Sequence, residues 1–420
     1  MLSDQEAATT AESVREVTLH NLQRVLWITW VAPFPERDGQ RMYSGRLIDA
    51  VARSGASVHV LCLSNEDGEG WGSAPPGNIT WHTVDRGRRA RWRSLFSSLP
   101  SMAYRAGGRE MRRALTIMLS GRKWDAIVLD GISSGWALPV IEAVVPANRD
   151  VQGRPKLIHV SHNHETSTRR AVAKSYIGNP AMWLALRRDA EKTRRLERRV
   201  VESCDVVSAI TQDDAERYRR EHPERKILVL TPGYGGHRVS HRQIVQATPR
   251  NAIIVGSFEW VAKKMNLKAF LAAADRRLAD AGVRLTVVGR GDRGFLTELG
   301  QNLRSVTIVG EVDDVTPYLE DARIAVVPET TGGGFKLKLL DYVFHRVPIF
   351  AMAGSLAGSP LRSGRSAMEF ATFEELADGI VQAIDDTDHL NAYQDRAFEA
   401  CRAEFDWEDR GAALVRAIAS

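Results

Sequence analysis

Residues 323–348 read RIAVVPETTGGGFKLKLLDYVFHRVP. A short β-branched run ends at Pro328 and Glu329, and glycines follow at 332–334. The next apolar pattern predicts a helix that starts near Phe335 and stops before the closing proline. Glycine lets backbone approach a ligand closely, and the first turn of a helix has unpaired N–H groups that attract anions. The junction is therefore a candidate phosphate site, although a glycine-rich turn with solvated lysines would give the same pattern.

Charged side chains at this junction favour the phosphate interpretation. Lys336 and Lys338 place two cations near the start of the predicted helix. Asp341 follows three residues after Lys338 and would share its helix face. The cations suit a diphosphate and the carboxylate suits sugar hydroxyls, so the pattern predicts that one surface binds both.

The rest of the chain alternates between strand patterns and helix patterns. The strand candidates are almost continuously apolar, as in parallel sheets that are buried on both faces. They lie at 24–30, 57–64, 125–130, 156–163, 205–211, 226–233, 253–257, 284–289, 306–310, 323–329 and 347–353. Glycine and polar residues dominate 234–250. We therefore predict an α/β fold with two doubly wound, Rossmann-like domains that face a central cleft.

Composition excludes several other classes of protein. The 420 residues are 44% apolar and 26% charged, which is ordinary for globular proteins and not for disordered chains, fibres or coiled coils. No apolar run approaches the length that spans a bilayer, and no secretory signal is readable at the polar N-terminus. The positive charge is concentrated in residues 1–240, whereas residues 241–420 are net negative.

A polar segment follows the predicted strand at 156–163. Polar, titratable residues at the carboxyl end of a parallel strand are well placed to bind or react with a ligand. A carboxylate such as Glu165 would tune His162 near neutrality. A simple capping turn is one alternative. A metal site built from His159, His162, His164 and Glu165 is another, but their spacing matches no known metal signature, and we predict no metal.

A basic, aromatic segment occupies residues 86–113. It contains nine arginines and one acidic residue, interleaved with Trp92 and Phe96. Such a segment fits an anionic membrane surface better than nucleic acid, because no nucleic-acid-binding motif accompanies it. A solvated surface is the remaining alternative.

The junction at 332–349, GGGFKLKLLDYVFHRVPI, resembles the pattern GGGTRLKxLEAMAxGxPV of the GT-B-type glycosyltransferases, particularly bacterial members of glycosyltransferase family 4. The resemblance implies that Lys336 and Lys338 bind the donor's phosphates and that Asp341 binds the nucleotide ribose. It also places Gly333, Gly334 and Phe335 at the donor. Many family members carry a second glutamate at the position of Gly333.

The resemblance extends to other segments of the second half. Residues 253–271 are similar to a family segment in which Lys263 or Lys264 would contact phosphate. Residues 306–329 are similar to a family block in which the backbone at Glu311 and Val312 would contact the nucleotide base. A GxGxxG turn at 289–294 matches a dinucleotide-binding fingerprint, but it follows an internal strand. The resemblance instead places this turn, with Arg290, on the nucleotide side of the cleft.

The resemblance in the first half is weaker. His162, Asn163 and Glu165 look like the family's HNxE, which makes His162 and Glu165 the candidate catalytic residues. His162 would contact the donor sugar or act on the acceptor hydroxyl, with His164 on the acceptor side. Residues 30–47 resemble the family's PxPxxGGxxR loop. Of the glycine pair this chain retains Gly39, and Arg41 is the candidate contact for an anionic acceptor.

The resemblance implies a GT-B architecture. The expected parts are a disordered tail at 1–23, an acceptor domain at 24–238, a donor domain at 239–400, and a final helix at 401–420 that crosses back to the first domain. The expected enzyme is metal-independent and uses a UDP- or GDP-linked sugar. It is expected in the cytoplasm, as a peripheral protein at the inner face of the membrane.

The expected reaction transfers this sugar, with retention, to a glycan or lipid-linked acceptor in bacterial polysaccharide or glycolipid assembly. Two alternatives stay open: a nucleotide-sugar epimerase or hydrolase on the same fold, and a non-catalytic GT-B partner subunit.

Overall fold

The computed structural model describes residues 23–36, 38–64, 78–85, 87, 89–145, 153–330 and 335–420. Within these ranges the chain forms two parallel sheets, one in each half. The strands of the first sheet are β1 Gln23–Val31, β2 Ala56–Leu63, β3 Ile79–Val84, β4 Ala126–Asp130, β5 Lys156–Val160, β6 Val206–Ala209 and β7 Lys226–Val229. Those of the second are β8 Asn251–Val255, β9 Arg284–Val288, β10 Val306–Gly310, β11 Ile324–Val327, β12 Ile349–Met352 and β13 Met368–Phe370.

Helices connect these strands and cover both faces of each sheet. In the first half they are α1 Gly39–Arg53, α2 Ser101–Ala106, α3 Arg109–Gly121, α4 Leu138–Val144, α5 Glu165–Ser175, α6 Pro180–Ser203 and α7 Gln212–Glu221, with 3₁₀ helices at Arg91–Phe96 and Ile132–Ala137. In the second half they are α8 Val261–Asp280, α9 Arg293–Gly300, α10 Thr316–Glu320, α11 Lys338–Phe344, α12 Phe373–Ala383, α13 Thr387–Cys401 and α14 Trp407–Ala419.

The strand orders are those of doubly wound sheets. The first sheet runs β3-β2-β1-β4-β5-β6-β7, the second runs β10-β9-β8-β11-β12-β13, and neighbouring strands are parallel. This confirms the predicted α/β fold with two Rossmann-like sheets. The order reverses between β1 and β4 and between β8 and β11, and ligands bind beyond the carboxyl ends of strands at such switch points.

Alternating side chains build the core of the first half. On β1, Leu26 and Ile28 pack on one face of the sheet, while Val25 and Trp27 pack on the other, and all four are fully buried. The last helix, α14, lies against α1 on the second of these faces. A Cβ on Gly411 of α14 would overlap the backbone of Ala50, so the two helices approach as closely as glycine allows.

The two halves touch at the carboxyl edges of their sheets. A Cβ on Gly39, at the start of α1, would lie 3.0 Å from Leu337 Cδ1, just before α11. A Cβ on Gly358 would lie 2.8 Å from Thr211 Cγ2, at the start of α7. The segments after the strands of one sheet therefore meet those of the other. The predicted tail lies outside the described residues except for Gln23, and the predicted domain boundaries stay predictions.

Candidate active site

A buried carboxylate gathers lysines beyond the end of β11. Glu329 Oε1 lies 2.6 Å from Lys338 Nζ, and Glu329 Oε2 lies 3.6 Å from Lys336 Nζ. The Glu329 side chain is 7% exposed and each of these lysine side chains is 10% exposed. Lys263, in the first turn of α8, also acts electrostatically on Glu329. We call Lys263, Lys336 and Lys338 around Glu329 the lysine cluster.

Opposing effects set the ionisation of the lysine cluster. Burial disfavours the charged form of Glu329, but Lys338, Lys336 and Lys263 outweigh it and lower its pKa to about 2. Burial also lowers the pKa of Lys336 and of Lys263, and the attraction of Glu329 opposes this. Within the cluster itself, three lysines therefore stand against one carboxylate, and the aspartates that also act on these lysines, Asp38 and Asp214, belong to the first half of the molecule.

The lysine cluster faces the first half of the molecule. Asp38, at the start of α1, acts to raise the pKa of Lys263, and Asp214, in α7, acts to raise that of Lys336. These attractions cross from one half to the other. The cluster therefore lies where the two carboxyl edges meet, which is the position expected for a donor's diphosphate.

The glycine-rich junction differs from the prediction at its helix. The helix was expected to start near Phe335, whereas α11 begins at Lys338 and has only seven residues. Phe335 instead lies against apolar residues of both halves, with its ring 5.8 Å from that of Phe405. Lys336 thus precedes the helix, and the attraction for anions rests on lysine charge rather than on a helix N-terminus. Gly333 and Gly334 lie outside the described residues.

Asp341 occupies α11 beside the segment that joins the two halves. Burial raises its pKa to about 7, opposed by a hydrogen bond with Tyr234. The Tyr234 ring stacks on Phe344 with centroids 4.5 Å apart, which fixes the phenol next to α11. A ribose hydroxyl reaching Asp341 would meet a carboxyl group that changes charge near neutral pH.

The remaining predicted donor residues spread along the edge of the second sheet. Lys264 does not join the lysine cluster, because its Nζ lies over the Phe295 ring, 4.9 Å from the centroid. Arg290 pairs with Glu259 at 3.0 Å and approaches Glu311 at 4.0 Å. Val312, which follows Glu311 in the sequence, packs against the core of the second half.

The first glycine of the GxGxxG turn is required by the packing of two strand ends. Gly289 has a φ of +141°, and a Cβ there would overlap the carbonyl oxygen of Gly256, at the end of β8. The glycine thus lets the ends of β8 and β9 come together, which accounts for its presence without a dinucleotide.

A histidine–aspartate pair forms the first-half part of the site. His162 Nε2 lies 2.6 Å from Asp130 Oδ1, and Asp130 Oδ2 accepts a hydrogen bond of 3.0 Å from Trp27 Nε1. Asp130 ends β4 and is fully buried. Burial opposes its ionisation, but His162 and Trp27 hold its pKa below the ordinary value. The Tyr43 ring packs edge-on against His162, 5.3 Å away, so the imidazole is fixed in position.

The predicted partner of His162 was wrong. Glu165 does not contact the imidazole but pairs with Arg169 at 3.0 Å and accepts a hydrogen bond of 3.2 Å from Asn163 Nδ2. Asp130 takes the predicted role because β4 and β5 are neighbours, so the end of one strand lies beside the residue that follows the other.

His164 is a buried helix cap and not an open acceptor contact. Its Nδ1 accepts from the backbone N–H of Ser167 at the start of α5, and its Nε2 lies 3.3 Å from Glu221. His159 points back into the sheet, where its Nδ1 lies 3.0 Å from the carbonyl oxygen of Leu129. Burial lowers the pKa of His159 to about 4. Across the described ranges, no three metal-ligating side chains converge.

The predicted acceptor loop is tied to the start of α1. Asp38 caps this helix by accepting from the Arg41 backbone N–H at 2.9 Å, and its carboxylate also lies 3.4 Å from the Arg41 side chain. Gly39 sits at the contact with Leu337 described above. Arg41 is therefore partly neutralised, and this loop forms part of the contact between the halves.

Two protein-family models match the chain and identify its family. Residues 38–233 match the family model described as a glycosyl transferase 4-like domain, and residues 249–386 match that of glycosyl transferases group 1. The chain is a GT-B glycosyltransferase of the family 4 type. The resemblance seen in the sequence is thereby confirmed.

Solved structures share the fold of this glycosyltransferase along most of its length. Sucrose-phosphate synthase from Thermosynechococcus elongatus aligns over 94% of this chain and 98% of its own, with a TM-score of 0.70 and 18% identity. WaaG, a glycosyltransferase involved in lipopolysaccharide biosynthesis, aligns over 93% and 99%, with a TM-score of 0.63 and 15% identity. HepE from Anabaena, in complex with UDP and glucose, aligns over 95% and 100%, with a TM-score of 0.60 and 13% identity. No curated protein matches the sequence.

Sequence reasoning missed two acidic residues of the glycosyltransferase. Asp130 and Glu329 each stand directly after a buried apolar run, in DAIVLD and RIAVVPE. An acidic residue at the carboxyl end of a parallel strand was the available signal, because that edge is where such sheets bind ligands. The roles assigned to individual site residues stay predictions.

Proposed function

We propose that this glycosyltransferase uses a nucleoside diphosphate sugar, UDP- or GDP-linked, and transfers its sugar to a hydroxyl of a glycan or lipid-linked acceptor. The observation that carries this proposal is the lysine cluster, whose three ammonium groups outnumber the single carboxylate of Glu329. A diphosphate is the donor part that such an excess of charge suits. Structures of Anabaena HepE with UDP and glucose, and with UDP-glucose, give a precedent on this fold.

The lysine cluster would act mainly on the leaving group. As the bond to the sugar breaks, negative charge develops on the diphosphate, and preorganised cations in a partly buried site stabilise it. We further propose that turnover needs no divalent metal, because the lysines supply this positive charge. Transfer that persists in EDTA is the expected result, and activity lost to EDTA and restored by Mg²⁺ would contradict it.

In the first half of the molecule, across from the lysine cluster, His162 would contact the transferred sugar or the acceptor hydroxyl. Asp130 orients the imidazole through the 2.6 Å contact between Asp130 Oδ1 and His162 Nε2. Closure of the two edges would exclude water and so limit hydrolysis of the donor. We expect retention at the anomeric carbon, as in most members of the family.

Calorimetric titration with nucleoside diphosphates and their sugars tests the donor proposal. We expect one nucleotide series to bind, and Lys338→Ala to weaken binding by roughly tenfold or more, since it removes a charge-assisted contact. Lys268→Ala is the matched control, because Lys268 lies on α8 with an exposed side chain. Unchanged affinity in Lys338→Ala would overturn the proposal.

Product analysis separates the two alternatives. A transferase forms a glycosylated product only with an acceptor present, whereas an epimerase or hydrolase releases an epimer or free sugar without one. A non-catalytic partner subunit would bind no nucleotide in the same titration. A screen of neutral, anionic and lipid-linked glycans would then place the enzyme in polysaccharide or glycolipid assembly.

We also propose that the enzyme works in the cytoplasm at the inner face of a membrane, with segment 86–113 on anionic lipid. Trp92 and Phe96 are 60% and 84% exposed on the first 3₁₀ helix. Lys192 Nζ donates to the Ser94 carbonyl at 2.7 Å, which holds this helix against α6. Exposed aromatic rings beside arginines suit the interface of an anionic bilayer. Of the helices in the described ranges, none combines the length and apolarity needed to cross a bilayer.

Vesicle sedimentation tests the membrane proposal. We expect the protein to sediment with vesicles that contain phosphatidylglycerol and much less with neutral vesicles, and a Trp92→Ala, Phe96→Ala double variant to lose this binding. Val245→Ala is the control, since Val245 is an exposed apolar residue in the segment between the two sheets. Equal recovery on both vesicle types would contradict the proposal.

A further inference from the structure

A cavity of about 220 Å³ opens at the carboxyl ends of β2 and β3, away from the lysine cluster. Leu63 and Val84, the last residues of these strands, form its floor. The described residues of the loop after β3, together with the end of α2 and the start of α3, supply the walls. Among the described residues, none of those predicted from sequence to bind donor or acceptor lines this cavity, and its arginines belong to segment 86–113.

The cavity shares an edge with His162. Strand β2 is separated from β5 by β1 and β4, and neighbouring strands lie about 4.8 Å apart, so the cavity is roughly 14 Å along the sheet from the end of β5. Because both lie at carboxyl ends, an extended acceptor could reach the cavity while one of its hydroxyls lies near His162.

Arginines dominate the chemistry of the cavity. Arg89, Arg105 and Arg109 line it, together with the exposed carboxylates of Asp85 and Glu110. Arg112 lies near Arg89, because both side chains donate to the carbonyl oxygen of Gly107. The guanidinium groups therefore outnumber the carboxylates.

Two of these guanidinium groups are held in place by their surroundings. Arg89 donates to the carbonyl oxygens of Tyr104 and Gly107 and lies 3.9 Å from the Tyr104 ring centroid. Arg105 lies over the Trp30 ring at 5.5 Å. Planar, preorganised guanidinium groups recognise carboxylates and phosphates through paired hydrogen bonds.

We propose that this cavity is an acceptor subsite for a sugar unit that bears an anionic group, a carboxylate or a phosphate. The inference rests on the proposed transfer of sugar to a glycan acceptor, and it adds the charge class of that acceptor. A uronic acid unit and a phosphorylated sugar unit are the two sources of this chemistry.

Saturation-transfer NMR with glucuronate, glucose 6-phosphate and glucose tests the subsite. We expect the two charged sugars to bind better than glucose, and the better of the two to identify the source. Arg105→Gln and Arg109→Gln should each weaken this binding by roughly tenfold, whereas Arg113→Gln, an exposed arginine on α3 outside the cavity, should not. Because the Arg109 side chain is exposed, Arg109→Gln is expected to fold even if Arg105→Gln does not.

Two controls separate this inference from the proposed function. Lys338→Ala should leave binding of the charged sugars intact, which shows that they do not occupy the lysine cluster. Binding of UDP-glucose should survive Arg105→Gln. No preference for charged sugars, or equal weakening by Arg113→Gln, would overturn the subsite. Failure of every nucleotide sugar to bind would instead overturn the donor proposal, while the preference for charged sugars could still be measured.

Discussion

Replacing Glu329 by glutamine removes the carboxylate at the centre of the lysine cluster. A pKa of about 2, compared with the ordinary 4.5, corresponds to roughly 3 kcal/mol of stabilisation of the folded state when the group is ionised. Because the folded pKa is depressed, this stabilisation is present above pH 4.5 and is lost as the pH falls towards 2. At pH 7 we therefore expect Glu329→Gln to be less stable by about 3 kcal/mol, in the range for breaking a buried ion pair.

Thermal unfolding followed by fluorescence measures this loss. For a domain of this size, about 3 kcal/mol corresponds to a fall of roughly 6–12 °C in the unfolding midpoint. Glu311→Gln is the matched control, because the Glu311 side chain is 59% exposed and should contribute little.

The same substitution should strengthen binding of anions. Without the carboxylate, Glu329 no longer competes with a bound anion for the lysines, so UDP or pyrophosphate should raise the midpoint of Glu329→Gln more than that of wild type. Two results would refute the proposed role of Glu329 in offsetting the lysine charge. One is a variant as stable as wild type, and the other is a folded variant whose unfolding midpoint rises less with UDP than that of wild type.

Three further perturbations address other parts of the molecule. Gly411→Ala should lower the free energy of unfolding in urea by roughly 1–3 kcal/mol, since the added Cβ would push α14 away from α1. Gly121→Ala, where a Cβ meets open space, should be neutral or slightly stabilising. Equal effects of the two substitutions would contradict the close packing of α14 on α1. His162→Ala should lower the transfer rate by roughly 100-fold or more while donor binding persists, and a nearly normal rate would remove the imidazole from the reaction. Burial raises the pKa of Asp341 from 3.8 to about 7, so its contribution to stability is greatest below pH 3.8 and is lost as the pH rises to 7. Asp341→Asn should therefore gain stability relative to wild type over that interval, and a constant difference in unfolding free energy would contradict this.

The strands of both sheets could be predicted because most of them are buried on both faces and are almost continuously apolar. The predictions missed β3 and β13, which lie at the sheet edges. Strand β3 has one buried residue among exposed and half-buried ones, and β13 has only three residues, so neither gives a long apolar run. The other edge strands, β7 and β10, are also half-buried or exposed, but they were predicted because their sequences, KILV and VTIVG, are mostly apolar.

The site was harder to predict, because its partners come from different strands. The lysines were found from local sequence, and the position of Glu329 after an apolar strand marked it as a site candidate, but its pairing with Lys336 and Lys338 shows only in the structure. His162 was found, yet its neighbour in sequence, Glu165, was chosen over Asp130, which is adjacent only in space. The helix start was misplaced because Phe335 fits an apolar helical pattern but packs between the two halves instead.

A crystal structure with bound UDP would show whether the lysine cluster binds the diphosphate. We predict that the diphosphate oxygens lie within hydrogen-bonding distance of the ammonium groups of Lys263, Lys336 and Lys338. A nucleotide bound elsewhere, with Glu329 still paired to Lys338 and no phosphate at these lysines, would contradict it.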